Sequence, residues 1–400
     1  MILIHIILLL AFLTLLLVSK FPLHFTLIFA SLLIALEVLM NPLKILSVFY
    51  KTLLDKDMIM LAFAIYFILL LGKVFEKFRL FSPIFSYLRH TIGPKRLIPI
   101  FPALIGMLPM LGGAIFSAPF VSEASEGLKL KPEDKVFFNY WFRHIWEYFF
   151  PLYSGVVMTV AIFKISMTDM FIHQGYLTLV AILFGAIYLN IKLKDHKIKS
   201  EKSFDSYVDS GFFIPFIPFI IIIIGIVLKL NYAFLTFIAA IPFSYYICKN
   251  NDHSFLNIFK QAFSAKMMLM VFAVFLFKNM LNDSGIVYSF GDYISKAGGG
   301  EYAILFILPF LIGLLTGVSN AFVGITFPLL YPLIYHSSGV DFGRLAFAYT
   351  AGFSGVLLSP LHFCLVLTNE YFNAKLSKVY PILFLGCLVL IGGSLWAMFL

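Results

Sequence analysis

Apolar residues run along this chain in long unbroken stretches, and polar residues gather in short segments between them. A bilayer crossing takes roughly 20 apolar residues. On that measure the first half predicts spans at Leu3 to Val18, Leu23 to Met40, Met58 to Val74, Val136 to Phe163 and Tyr176 to Ile191. After a polar stretch from Lys192 to Asp209, a second set is predicted at Phe212 to Leu228, Tyr232 to Cys248, Met267 to Leu281, Leu345 to Leu367 and Val379 to Leu400. Two other apolar segments, 97–123 and 302–335, are interrupted near their middles. They read GMLPMLGGAIFSAP from Gly106 to Pro119 and GLLTGVSNAFVGIT from Gly313 to Thr326. A straight helix does not pass such Gly, Pro, Ser and Asn breaks, and neither arm can span alone, so both are expected as re-entrant helical hairpins.

Matched landmarks recur at a near-constant offset. Leu23 and Tyr232, Met58 and Met267, and Pro151 and Pro360 are each 209 residues apart, and Gly106 and Gly313 are 207 apart. With five crossings per half, the second half becomes an inverted copy of the first. The expected fold is therefore an all-α polytopic membrane protein: two inverted repeats of five transmembrane helices, each with a re-entrant hairpin and a broken helix. Residues 1–193 form the first repeat, 194–209 a polar cytoplasmic linker and 210–400 the second.

Composition agrees: 61% of residues are hydrophobic and 12% charged, against about 25% charged in soluble domains. Soluble and nucleic-acid-binding classes are excluded, and the bilayer is the surrounding partner. The net charge of +9 is a topology signal, because Lys and Arg concentrate in cytoplasmic loops. Twenty of the 29 basic residues fall in loops on one side, which should be the inner face of a cytoplasmic membrane, with both termini outside. The first apolar run lacks a basic flank and a cleavage site, so it reads as a span. Cys248, Cys364 and Cys387 have no metal-ligand spacing and read as packing residues.

Ionisable residues within spans are candidates for function. The densest group is Asn139, Arg143, His144 and Glu147, just before Pro151. In a continuous helix Arg143 and Glu147 (i, i+4) would share a face with His144; Arg143 could neutralise an anion and His144 or Glu147 carry protons. The competing reading is an interfacial anchor flanked by Trp141 and Trp146. No second His-Glu pair or Cys-His cluster is visible along the sequence, so no metal is expected. At the first hairpin Gly112 and Gly113 would expose backbone amides to an anion, with Ser117 as a further binding candidate. At the second, Thr316, Ser319 and Asn320 offer oxygen ligands for substrate or Na+. Pro151 frees a carbonyl four residues earlier, and the chain breaks again near Ser359 and His362, completing a midplane pocket.

These hairpins and the NYWFRHIWEYFFPLY segment resemble the prokaryotic integral-membrane family known as domain of unknown function 401, across essentially the whole chain. That family is placed in the ion transporter superfamily with gluconate, dicarboxylate and arsenite permeases and sodium/proton antiporters. The resemblance implies paired inverted repeats, opposed hairpins, a homodimer and elevator-like movement. Dicarboxylate transporters of that group carry Ser-Asn-Thr at both tips; here the tips read Ser319-Asn320-Ala321 and Gly112-Gly113-Ala114, a departure that weakens the case for two carboxylate clamps and a pair of sodium sites.

The expectation is a secondary active transporter, not an enzyme, moving a small anion such as an organic acid with H+ or Na+ as coupling ion and no other cofactor. A cation/proton antiporter is the nearest alternative. An intramembrane enzyme is the alternative from another class, though no HExxH pair or Gly-X-Ser-X-Gly nucleophile occurs.

Overall fold

Helix starts fall where a short polar side chain can take free backbone donors. Asp55, Ser166, Asn231, Ser264 and Asp341 each accept hydrogen bonds from backbone N–H groups two or three residues on, fixing helix N-termini. The computed structural model describes residues 2–19, 21–110, 113–194, 212–287, 289 and 300–398.

The first half holds α1 (Ile2–Val18), α2 (Leu23–Glu37), α3 (Pro42–Leu53), α4 (Lys56–Phe78), α5 (Ser82–Thr91), α6 (Pro94–Gly106), α7 (Gly113–Ala124), α8 (Pro132–Arg143), α9 (Ser154–Phe163) and α10 (Met167–Lys192). The second half holds α11 (Ile217–Val227), α12 (Tyr232–Asn250), α13 (Phe255–Ala262), α14 (Ala265–Ser284), α15 (Glu301–Thr316), α16 (Ser319–Ile334), α17 (Phe342–Leu358), α18 (Phe363–Phe372) and α19 (Leu376–Met398). A two-stranded antiparallel turn, β1 (Tyr335–His336) and β2 (Gly339–Val340), with Tyr335 opposite Val340, links α16 to α17.

Among the described residues, six helical stretches are long and apolar enough to cross a membrane: α4, α10, α12, α14, α19 and the composite of α17 and α18. The all-helical chain is thus membrane-embedded. Outward-facing Leu179, Leu183, Ile187, Ile220, Ile223 and Ile224 on α10 and α11 are exposed, as suits contact with lipid. Every expected span coincides with helix, but α2 and α11 are short, and two stretches are split: Val136 to Phe163 between residues 143 and 154, and Leu345 to Leu367 between residues 358 and 363. The expectation missed α3, α5 and α13. They are amphipathic: α13 buries Ile258 and Ala262 and exposes Leu256, and such narrow apolar faces do not register as spans. The linker from residue 195 onward lies outside the described residues.

Corresponding helices start at a fixed interval. Leu23 and Tyr232, Lys56 and Ala265, Ser154 and Phe363, and Met167 and Leu376 are all 209 residues apart. So are Lys164 and Asn373, the left-handed residues that end α9 and α18. Packing follows the same correspondence: α2 lies on α14 and α4 on α12; α9 lies on α16 and α18 on α7; α6 packs on α7 and α8, and α15 on α16 and α17.

Candidate functional site

The site forms where two split helices meet the two hairpin breaks. α8 stops at Arg143, residues 144–149 form turns, and α9 begins at Ser154. Pro151 lacks the N–H that would bond the Glu147 carbonyl, and the Tyr349 hydroxyl donates to that carbonyl at 2.7 Å. In the other half α17 ends at Leu358, before Pro360, and the Tyr140 hydroxyl donates to the Leu357 carbonyl at 3.1 Å. Tyr140 and Tyr349 are fully buried and 209 positions apart. Each therefore closes the helix break of the opposite half.

Close backbone approach brings the hairpins in. A Cβ at Gly106 would strike the Arg143 carbonyl, and one at Gly313 would strike the Gly352 carbonyl. Gly317, left-handed at φ 64°, ends α15 against the backbone of His362, a conformation glycine adopts without steric cost.

Arg143 turns into the first break. Its Nη1 donates to the Ile105 carbonyl at 3.2 Å and its Nη2 to the Met110 carbonyl at 2.8 Å, adding a charged donor to carbonyls that already accept the Leu108 and Gly113 backbone N–H groups. Gly113 makes room, since a Cβ there would lie 2.5 Å from Nη2. The expected shared helix face of Arg143 and Glu147 is not formed. α8 ends between them, so Arg143 serves the first hairpin and Glu147 reaches the second, where Ser319 Oγ donates to Glu147 Oε2 at 3.2 Å.

Around Glu147 the polar groups converge. Ser154 Oγ donates to Asn320 Oδ1 at 2.7 Å, joining the first turns of α9 and α16. His144 Nε2 lies 3.7 Å from Glu147 Oε1 and 3.1 Å from His362 Nε2. His144 Nδ1 is 2.6 Å from the Tyr140 carbonyl and His362 Nδ1 is 2.7 Å from the Gly317 carbonyl. A carbonyl only accepts, so each Nδ1 carries the hydrogen. In the neutral rings the two Nε2 lone pairs then face each other, an arrangement that calls for a cation between them. Cys364 Sγ joins them: the two imidazole nitrogens and the sulfur lie within 4.8 Å of one another. The expectation that no Cys-His cluster exists therefore fails in three dimensions, because its members are drawn from α18 and the end of α8.

The profile of the family described as "Protein of unknown function (DUF401)" matches residues 3–398. The chain belongs to that family. No curated protein matches it.

In this DUF401 chain the structure brings together His144, Glu147, Ser319, Asn320 and His362 of the expected site. The remaining candidates are held elsewhere. Asn139 Nδ2 donates to the Ala114 carbonyl and to Thr368 Oγ1, tying α7 to α18. Ser117 bonds within α7, Thr316 bonds back to Ile312, and Ser359 Oγ accepts from the Leu361 amide in its own turn. Gly112 lies outside the described residues. Ser154, Tyr140, Tyr349 and Cys364 were missed as site residues. The tyrosines had a readable signal in their shared offset; Cys364 had a partial one in His362, two positions before it, while its other partner, His144, is 220 positions away.

Proposed function

We propose that this protein is a secondary active transporter of the cytoplasmic membrane that moves a small anion, such as an organic acid, coupled to H+ or Na+. The observation that carries this reading is the junction just described: two hairpin breaks and two split helices around buried polar side chains, in a chain otherwise built of apolar helices. Ionisable groups at such depth are costly and are retained where solutes or ions pass. The first turns of α7, α9, α16 and α18 all begin at these breaks, and helix N-termini favour an anion.

The constant 209-residue interval and the exchanged packing of α2 with α14 and α4 with α12 support two inverted repeats. The hairpins are read as re-entrant, the first from the cytoplasm and the second from outside, with both termini outside. Elevator-type movement would carry the hairpins and split helices against a scaffold of α2, α4, α12 and α14, within a homodimer. A cavity of about 430 Å3 lined by Asp57, Lys164, Lys229 and Tyr232 adjoins the junction, since the Tyr232 hydroxyl bonds the Pro151 carbonyl in the α8–α9 break. Lys164 pairs there with Asp57 at 3.5 Å, and Lys229 suits an anionic solute. Ser154, Ser319 and Asn320 are assigned to the substrate or coupling ion.

One observation favours a second reading, cation/proton antiport. The guanidinium of Arg143 is committed to backbone carbonyls, which leaves Glu147 as the ionisable charge beside Ser319. A thermal-shift screen of small carboxylates and oxyanions, with and without Na+ and across pH, separates the two. Stabilisation by an anion supports the first reading; stabilisation by cations alone supports the second and sinks the first.

A further inference from the structure

We infer that His144 Nε2, His362 Nε2 and Cys364 Sγ form a binding site for one zinc-class divalent cation, with the Glu147 carboxylate at the fourth corner. Zinc takes four ligands from Cys, His and carboxylate at tetrahedral angles, with Zn–N near 2.0–2.1 Å. Two nitrogens on such an ion stand about 3.3 Å apart, and the two Nε2 atoms here are 3.1 Å apart. The three ligand atoms lie within 4.8 Å of one another, and Glu147 Oε1 is 3.7 Å from His144 Nε2.

The surroundings are those of a ligand set rather than of packing. Both imidazoles present Nε2 inward because each Nδ1–H is fixed by a backbone carbonyl, Tyr140 for one and Gly317 for the other. That is the outer-shell arrangement by which proteins orient metal-binding histidines. His144 and Cys364 are buried, and a soft thiolate beside two imidazoles selects zinc over Mg2+ or Ca2+, which prefer all-oxygen ligands. A divalent ion, the Cys364 thiolate and the Glu147 carboxylate sum to zero, and the buried Arg143 guanidinium beside Cys364 leaves one positive charge on the cluster. On binding, the thiol proton passes to water. The ligands come from both halves of the chain, so the ion would fasten the turn after α8 to the start of α18 at the junction. This assignment is independent of the transport reading: a chain that binds zinc and moves no anion keeps it.

The test uses the full chain purified in detergent, stripped with a chelator and titrated with Zn2+ or Co2+. Metal analysis should find about one equivalent per chain, and Co2+ should produce a thiolate-to-metal charge-transfer band. Cys364→Ser should remove that band and weaken Zn2+ binding at least about tenfold, the smallest loss seen even for outer-shell partners. Cys248→Ser and Cys387→Ser should retain both. Size-exclusion profiles identify any variant that fails to fold, and His362→Ala provides a second ligand deletion with the same expected loss. Folded wild-type protein without stoichiometric zinc, or a Co2+ spectrum without the thiolate band, overturns the assignment and leaves a shared proton as what lies between the histidines.

Discussion

Arg143→Met tests whether the buried guanidinium holds the first hairpin or waits for an anion. Methionine keeps an apolar stem of similar reach and removes every donor. Two hydrogen bonds are lost, to the Ile105 and Met110 carbonyls, each of the charge-assisted kind worth about 1.5–3 kcal/mol. Part of that loss is offset, because the charge no longer has to be buried and its Nε has no partner. Both carbonyls keep one backbone donor, the Leu108 N–H on Ile105 and the Gly113 N–H on Met110, so the loss is that of the two charged bonds alone. A net destabilisation of about 2–4 kcal/mol follows. Arg143→Lys, which can reach only one carbonyl with its single ammonium, should recover roughly half of it. Tryptophan-fluorescence unfolding in detergent measures the loss, and limited proteolysis should find the new weak point at residues 107–113. A Met variant as stable as wild type, within about 0.5 kcal/mol, would refute the reasoning, especially if it had lost stabilisation by an anion.

Three further outcomes follow from the same geometry. Tyr140→Phe and Tyr349→Phe should each cost about 1–3 kcal/mol in the same unfolding assay, since each leaves a buried carbonyl of the opposite half unpaired; a neutral result for both would mean that water replaces them. Gly155→Cys with Ser319→Cys should lose free-thiol labelling under mild oxidation, because a Cβ at Gly155 would lie 3.1 Å from that of Ser319, near the disulfide range. Retained labelling would separate α9 from α16. Single cysteines replacing Lys131 and Lys164 should react with an impermeant maleimide from opposite faces of the cell membrane, and labelling of both from one face would reject the assigned topology.

Much of this architecture was legible because its cause is local. Pro151 freed a carbonyl that could be counted from the sequence, and the glycines of both hairpins marked the close approaches now seen at Gly106, Gly313 and Gly317. The offset in Leu23 and Tyr232 became the interval between helix starts. What was not legible depended on where helices end and what crosses between halves. Arg143 and Glu147 looked like one helix face, yet a stop one residue before His144 sends them to different hairpins. Cys364 looked like packing because His362, two residues before it, is a single ligand on its own; the second imidazole, His144, arrives from the end of α8 through tertiary packing. Asn139 and Ser117 read as binding residues on residue type alone; the structure uses Asn139 to tie α7 to α18 and turns Ser117 back onto its own helix.

Flux through reconstituted proteoliposomes tests the central claim most directly. Labelled small carboxylates and oxyanions, driven by an imposed Na+ or pH gradient, should accumulate saturably with wild-type protein. The rate should fall at least about tenfold in Asn320→Ala, whose lost contact with Ser154 corresponds to about 1.4 kcal/mol or more at the junction. No accumulation of any anion under either gradient, or full activity in a folded Asn320→Ala variant, would contradict the account.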